Sequence, residues 1–464
     1  MRFYGREGEI AALRTLLGRV ASSEGSRMIC VTGRSGSGKT AFVLKALEGS
    51  EIPVVRFVCR PCASARETAA SWLQALRNAC GDPSESVPAS GFARPSDVFW
   101  HVMALSKERP LALFIDEDQT LFEIEPAFWS VVQHAWDIEK DRTRLFLAIS
   151  CATESAFTEI FGTRAPLYAR QDNQLAIRPF RTALLREIFL EESGSSSPQD
   201  LLFTFALTGG SPGLLKRLAE ARALTLKAGL DYLCSPEGDW VRTEGSRLLG
   251  LEFGADAPAC TKILHAAAAG AKTEHEIEAA VASSVKPYLW RLEACRLLER
   301  DYSAFDYRYW HSRFEVTDPY FRFWLRCCEP PALQALAKAQ RWQELRRAVE
   351  AELPGLLDRA LKDWFLRAAL ENGPWFEARS WWGSESEDAD EDGIDFVASD
   401  TFSKRLCFAD IRLEPGALDE EHLKRRAARF LKANPRFADC SQEFQRLSPA
   451  DMFRSPKDEA PGKA

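Results

Sequence analysis

The sequence predicts an α/β fold built on a parallel sheet, and three observations carry that prediction. A short apolar run, Met28-Ile29-Cys30-Val31, leads into Gly33-Arg34-Ser35-Gly36-Ser37-Gly38-Lys39-Thr40 and then the helical run Ala41-Phe42-Val43-Leu44-Lys45-Ala46-Leu47. A second apolar run, Leu111-Ala112-Leu113-Phe114-Ile115, closes on Asp116-Glu117. A third, Leu145-Phe146-Leu147-Ala148-Ile149, ends in the polar Ser150. Continuous rather than alternating apolar runs are what strands buried on both faces require. Carboxylates and glycine-rich loops at their ends face the crevice where such sheets bind ligands.

A chain of 464 residues implies two to four units, at roughly 100–200 residues per domain. The 46% hydrophobic and 27% charged residues are ordinary for a soluble chain. A net charge of -7 with pI near 5.7 gives no global attraction to polyanions, so any nucleic-acid surface has to be local. Met1-Arg2-Phe3-Tyr4-Gly5-Arg6 lacks an apolar signal core and no long uncharged run follows, so a cytoplasmic location without membrane contact is expected. The 12 cysteines are scattered and read as small core hydrophobes. Cys59-Arg60-Pro61-Cys62 has no second pair or spaced histidines, which favours packing over metal or redox chemistry.

Taken in order, Glu7 opens a helix whose stripe is Ile10, Leu13, Leu16 and Leu17. The segment from Gly33 then reads G-x-x-x-x-G-K-T between strand and helix, the setting of a phosphate cradle and hence of a P-loop NTPase. Gly33, Gly36 and Gly38 permit backbone angles that aim N–H groups inward, with Arg34, Ser35 and Ser37 between them. Lys39 reaches the β- and γ-phosphates and Thr40 ligates magnesium, which makes ATP and Mg2+ the expected cofactors. Val54-Val55-Arg56-Phe57-Val58 is a strand and residues 67–79 a helix, followed by a Pro/Ser/Gly-rich loop from 81 to 95. At the end of the second apolar run Asp116 is the magnesium carboxylate and Glu117 the base that polarises the attacking water. Two readings stand for Ser150 and Thr153, a γ-phosphate sensor and a helix N-cap.

The order Phe3-Tyr4-Gly5-Arg6-Glu7, P-loop, Ile115-Asp116-Glu117, sensor strand, Pro166-Leu167-Tyr168-Ala169-Arg170, short strand 174–177 and Gly209-Gly210-Ser211-Pro212 resembles the archaeal-type P-loop ATPase family, which is related to AAA+ and signal-transducing ATPases. The resemblance covers about residues 1 to 235. It implies that Gly5 and Arg6 lie at the nucleotide, that Arg170 is a γ-phosphate or finger arginine, and that Pro212 sits in a helical lid beside the adenine. Ala169 departs from the family, which has glycine there.

Helices at 259–268, 274–282 and 285–294, then Leu297-Leu298-Glu299-Arg300 and an aromatic stretch through Tyr309, form the pattern of a winged helix-turn-helix. Its outward cations are Lys286, Arg291 and Arg296, interspersed with Glu293 and Glu299; a double-stranded DNA face and a packing module are both open readings. Asp318-Pro319-Tyr320-Phe321-Arg322-Phe323-Trp324 resembles the segment after the winged helix in the same family. Glu329-Pro330-Pro331 reads as a linker. Beyond it come a helix at 358–371, strands near 376–382, 393–398 and 406–413, and a helix at 418–431. That order resembles the restriction-endonuclease-like domain of the family, with Asp395, Asp410 and Arg412 on its D...(D/E)-x-K motif. The lysine position is an arginine, and Lys362 stands near the place of the family's helix acid. The acidic tract 385–392 reads as a solvated loop and 440–464 as a helix end with a disordered tail.

The expected organisation is an ATPase core at 1–190, a lid at 191–245, a winged helix at 246–330, a restriction-endonuclease-like domain at 331–455 and a tail at 456–464. The expected function is an ATP-hydrolysing switch coupled to DNA through the winged helix. The alternative is an ATP-controlled DNA-processing enzyme with a metal-dependent nuclease. Partners are ATP and ADP, with double-stranded DNA, a protein or a second copy as further ones.

Overall fold

The computed structural model describes residues 1–22, 25–59, 63–80, 91–116, 120–308, 311–383, 393–400, 402–417 and 419–454. It separates into two compact units, Arg2–Arg178 and Pro179–Ala464.

In the first unit, β1 (Arg27–Thr32), β2 (Val54–Val58), β3 (Leu111–Asp116), β4 (Leu145–Cys151) and β5 (Asn173–Ala176) form one parallel sheet in the order β2-β3-β4-β1-β5. Side-chain alternation assigns two cores to its two faces. Ile29, Val31, Ala112, Phe114, Phe146 and Ala148 pack beneath α1 (Glu7–Ala21) and α2 (Lys39–Leu47). Met28, Cys30, Leu113, Ile115, Leu147 and Ile149 pack on the other side, under α3 (Ala65–Cys80), α4 (Pro95–Glu108), the short α5 (Leu121–Ile124), α6 (Phe128–Glu139) and α7 (Glu154–Phe161). Burial on both faces is why these runs are apolar throughout. By the same alternation Arg56, Asp116 and Ser150 share the face of Phe114, toward α2. Among the described residues the cysteines are free thiols; Cys62 lies outside them, and Cys59 is buried.

The second unit begins with five helices, α8 (Thr182–Ser193), α9 (Pro198–Thr208), α10 (Pro212–Glu220), α11 (Leu226–Leu233) and α12 (Asp239–Phe253), across the region expected as a lid at 191–245. The expected winged helix follows: α13 (Ala257–Ala268), α14 (Glu274–Val281), α15 (Lys286–Ala294) and an antiparallel pair, β6 (Leu298–Asp301) with β7 (Arg313–Val316). Its wing is not free. Phe305, between the two strands, packs with its ring centroid 4.5 Å from that of Phe437 and 5.9 Å from that of Phe430 in the core of the last module, and Ala304 N donates to Ser380 O. Tyr309 lies outside the described residues.

After α16 (Pro319–Cys327) and α17 (Pro331–Lys338), a single helix, α18 (Trp342–Asn372), starts well before the helix expected from 358 and runs unbroken through it. Pro354 costs a helix about 3 kcal/mol. Burial of Leu345, Val349, Leu353, Leu356, Ala360, Leu361 and Trp364 on either side of it outweighs that cost. The last module is a four-stranded sheet, β8 (Glu377–Trp381), β9 (Ile394–Asp400), β10 (Arg405–Ile411) and β11 (Ser441–Leu447), with α19 (Glu420–Ala433) crossing from β10 to β11. β11 corrects the expectation of a tail from 440. Its sequence, Ser-Gln-Glu-Phe-Gln-Arg-Leu, has the polar composition of an exposed edge strand, yet pairs parallel with β10 from Ser441 to Leu447. The acidic tract 385–392 and residues 455–464 lie outside the described residues. No helix among the described residues is long and apolar enough to cross a membrane.

At the base of the wing, burial and then the neighbouring Glu315 push Asp301 up to about 6, against the pull of Arg359 and Arg379. The folded carboxyl therefore binds its proton more tightly than the unfolded one, and the stability this group contributes at low pH is lost as pH rises from about 4 to 6. Asp301→Asn should match wild type in stability near pH 4 and exceed it by about 2 kcal/mol above pH 6. Urea melts across that range check it, and parallel curves for the two proteins would contradict it.

Candidate functional site

The loop between β1 and α2 is held open by three left-handed glycines, Gly33 at φ +147°, Gly36 at +82° and Gly38 at +91°. A Cβ on Gly33 would stand 2.6 Å from Ile177 O and 2.8 Å from Ser37 Oγ, so only glycine fits this turn. Ser37 N donates to Arg34 O at 3.0 Å, which closes the loop upon itself. Inside it the nearly buried Lys39 ammonium donates to Gly33 O at 2.7 Å and Arg34 O at 3.2 Å. The Ser37 hydroxyl is buried with no hydrogen-bond partner among the described residues. Gly38 caps α2, whose first-turn amides have no earlier turn to bond to.

Thr40, on that first turn, donates its hydroxyl to Asp116 at 2.9 Å from Oδ2 and 3.2 Å from Oδ1. Asp116 ends β3 and is only 2% exposed. The sequence reading paired these two residues, and the structure brings them together. It also adds one that the reading missed, since Arg56 on β2 donates to Asp116 Oδ2 at 2.6 Å. The signal was a lone charge inside the apolar strand Val54–Val58, in register with Phe114 and so on the face of Asp116. Glu117 lies outside the described residues. Left-handed glycines, a partnerless buried hydroxyl, an enclosed ammonium and a hydroxyl–carboxylate pair form a donor set that fits a polyphosphate with a divalent cation.

The other expected residues are placed as follows. Gly5 and Arg6 both have positive φ, at 64° and 69°, where the chain turns into α1, and the Arg6 guanidinium donates to Arg178 O and to Glu9. Ser150 is buried near the end of β4, and Thr153 caps α7 by accepting from Ala156 N at 3.0 Å. Arg170 is gripped at two points by Asp137 of α6, at 2.8 and 2.7 Å. That grip lowers the Asp137 carboxyl and raises Arg170 above its ordinary value. Pro212 is the first residue of α10 in the second unit, after Gly209 and Gly210 at φ +57° and +81°.

One of the winged-helix cations corrects the expectation of an outward basic row: Arg291 lies 2.6 Å from Asp256 Oδ2 and 5.2 Å over the Phe253 ring. Arg296 is exposed, just past the end of the helix, at φ +53°. Lys286 does face solvent, 3.5 Å from Glu274, and beside it Trp290 is 64% exposed.

In the last module Asp395, Asp410 and Arg412 converge with Lys362 of α18. Asp395 Oδ1 meets Lys362 Nζ at 3.0 Å, its Oδ2 meets Arg412 at 2.6 Å, and Arg412 also meets Asp410 at 2.9 Å. Burial alone would raise the Asp395 carboxyl, but Lys362 and Arg412 hold it below its usual range. The buried Arg426 stands 3.5 Å from Asp410, a residue the sequence reading missed because it comes from the far helix α19. No cluster of three or more His, Cys, Asp or Glu able to hold a metal ion occurs among the described residues.

Comparison with known proteins adds the following. Residues 2–147 match the family model of the AAA ATPase domain. An uncharacterized protein of Methanocaldococcus jannaschii is 22% identical over 419 residues, 88% of this chain and 87% of its own. Among solved structures, the Walker-type ATPase of Pyrococcus abyssi superposes with a TM-score of 0.50 at 17% identity, over 70% of this chain and 96% of its own, which supports the fold. The ORC2 protein of Aeropyrum pernix, solved in ADPNP–ADP complexes, gives 0.44 at 14%, over 76% and 96%.

Ala169, where the family has glycine, sits at φ +56°. A left-handed angle costs a non-glycine residue roughly 1–2 kcal/mol, against an unfolded-state cost of about 0.4–1 kcal/mol for introducing glycine. Ala169→Gly should therefore raise the unfolding free energy by about 0.5–1 kcal/mol. The same exchange at Ala206, buried in the last turn of α9, should lower it by about 1 kcal/mol. Denaturant melts of the two variants check the contrast in sign.

Proposed function

We propose that this chain, whose residues 2–147 match the AAA ATPase domain model and whose motifs resemble the archaeal-type P-loop ATPases, is an ATP-driven switch. The single observation that carries the reading is the Thr40–Asp116 contact at the mouth of the loop that encloses Lys39. In this reading the amides of residues 33 to 40 and the Lys39 ammonium hold the phosphates. Thr40 and Asp116 hold magnesium, which when bound neutralises phosphate charge and orients the terminal group. Glu117 takes a proton from the attacking water, as its position one residue after Asp116 suggests. Gly5 and Arg6 border the base, and Arg170 serves the terminal phosphate by giving up Asp137.

The readout of nucleotide state is assigned to the second unit through α18. Glu371 accepts from Thr182 N and Oγ1 of α8 at 2.7 and 2.9 Å, and Arg367 donates to Gly209 O at 3.0 Å. Four residues before Arg367, Asp363 accepts from Arg322 at 2.6 Å, Arg359 pairs with Glu315 of β7, and Lys362 holds Asp395. One helix thus touches the lid, the wing and the last sheet, so a displacement of the Gly209-Gly210 turn would reach all three.

DNA is the second reading, favoured by the exposed Lys286 and Trp290 on α15. The nuclease alternative is set aside: a nuclease of this fold needs Asp395 for metal, and both of its oxygens are engaged by Lys362 and Arg412.

Lys39→Ala should lose ATP binding altogether, whereas Glu117→Gln should bind ATP and lose turnover by about a hundredfold or more. Equilibrium binding and phosphate release separate the two, and wild-type turnover in Glu117→Gln would remove Glu117 from its role. For DNA, replacing Lys286, Arg291 and Arg296 together should lower the log–log salt slope by about two rather than three, because Arg291 is committed to Asp256. The full chain should leave supercoiled DNA intact in magnesium or manganese. Nicking that disappears in Asp410→Ala would reinstate the nuclease.

A further inference from the structure

Arg56 is a charged residue placed where the sheet alone does not require one. It sits on β2, the edge strand of the sheet, between Val55 and Phe57, which are buried in the opposite core. Its register partner is Phe114, so its side chain runs over the face that also carries Asp116 two residues on, with the guanidinium carbon 6.0 Å from the Phe114 ring. There it donates to Asp116 Oδ2 at 2.6 Å, the short distance of a charge-assisted bond, on the same oxygen that accepts from Thr40 at 2.9 Å. The two partners differ in freedom. Asp116 is 2% exposed and fixed at a strand end, whereas the Arg56 side chain is 39% exposed, and as a long side chain on an edge strand it can swing into water.

Resting on the reading of Asp116 as the magnesium carboxylate, we propose that Arg56 is a positioning residue that competes with the divalent cation for Asp116. The guanidinium holds the carboxylate in place against Thr40 and is displaced when the cation loads, so it sets the magnesium concentration at which the nucleotide site fills. The physical basis is Coulombic. A unit positive charge at bonding distance from Oδ2 both consumes that oxygen's lone pair and repels a doubly charged ion approaching it. Removing the charge while keeping a neutral stem lowers the cost of metal entry, and leaves the phosphate contacts of Lys39 and the loop amides untouched. An arginine that served only to neutralise a buried aspartate would act differently: its loss would lower stability and leave the magnesium requirement where it was.

The test uses the full chain and a fluorescent ATP analogue titrated with magnesium, comparing wild type with Arg56→Gln and Arg56→Lys. In Arg56→Gln the magnesium concentration at half-loading should fall by roughly tenfold. In Arg56→Lys, which keeps the charge, it should stay within about twofold of wild type. Affinity for the analogue in chelator should be equal in all three. Arg56→Met, which keeps the apolar stem over Phe114, repeats the comparison should the Gln variant fail to fold. An unchanged or raised magnesium requirement in the neutral variants overturns the proposal while leaving the ATPase reading intact. Absence of analogue binding in wild type at every magnesium concentration overturns both, and is recognised because no variant then differs from any other.

Discussion

The first unit depends on one constraint, the register of parallel strands whose two faces are both buried. A slip of one residue in β1 would turn Met28 and Cys30 toward α2 and Ile29 and Val31 toward α3, exchanging two cores of different shape. With register held, the C-terminal ends of β1 and β3 arrive at the same edge of the sheet, separated by β4. That is what lets a hydroxyl on the first turn of α2 meet a carboxylate some seventy-six positions further along the chain, at 2.9 Å. The loop glycines then complete a concave surface that strand and helix have already framed. Mutations that shift register would therefore remove the site without touching any of its residues.

In the second unit the corresponding role falls to α18, whose apolar stripe of Leu345, Val349, Leu353, Leu356, Ala360 and Trp364 runs most of its length. Its charged residues flank that stripe and reach different neighbours. Arg359 and Asp363 face the wing and α16, Lys362 the last sheet, Arg367 and Glu371 the lid helices. The insertion of Phe305 beside Phe430 and Phe437 adds an apolar fastening between the wing and the last sheet. That fastening ties the wing to the last sheet, while Lys286, Pro287, Trp290 and Ala294 of α15 stay exposed.

A common electrostatic pattern runs through both units. Poorly exposed carboxylates are met by internal cations: Asp116 by Arg56, Asp395 by Lys362 and Arg412, Asp363 by Arg322 and Arg359. Burying a carboxylate alone is expensive, and pairing is the usual remedy. The consequences differ with geometry. Asp395 is held on both oxygens by cations from two elements, whereas at Asp116 a long, partly exposed arginine and a neutral hydroxyl meet on Oδ2.

The sequence by itself determined the sheet strands, the glycine-rich loop and the pairing of Thr40 with Asp116, because continuous apolar runs and a fixed motif spacing are local properties that admit one packing. It also indicated Lys362 near the nuclease-like carboxylates. The tertiary structure alone decided the rest. Arg56 was legible only as a charge in an apolar strand until β2 was placed beside β3, and Arg291 looked outward until Asp256 stood opposite it. Helix α18 could not be read through Pro354-Gly355, since local propensity there opposes a helix and only burial on both sides overrides it. β11 escaped notice because a strand at a sheet edge needs no apolar alternation of its own when the neighbouring strand supplies its hydrogen bonds. In each case what was missing from the sequence was the partner, and partners are fixed by packing between segments far apart in the chain.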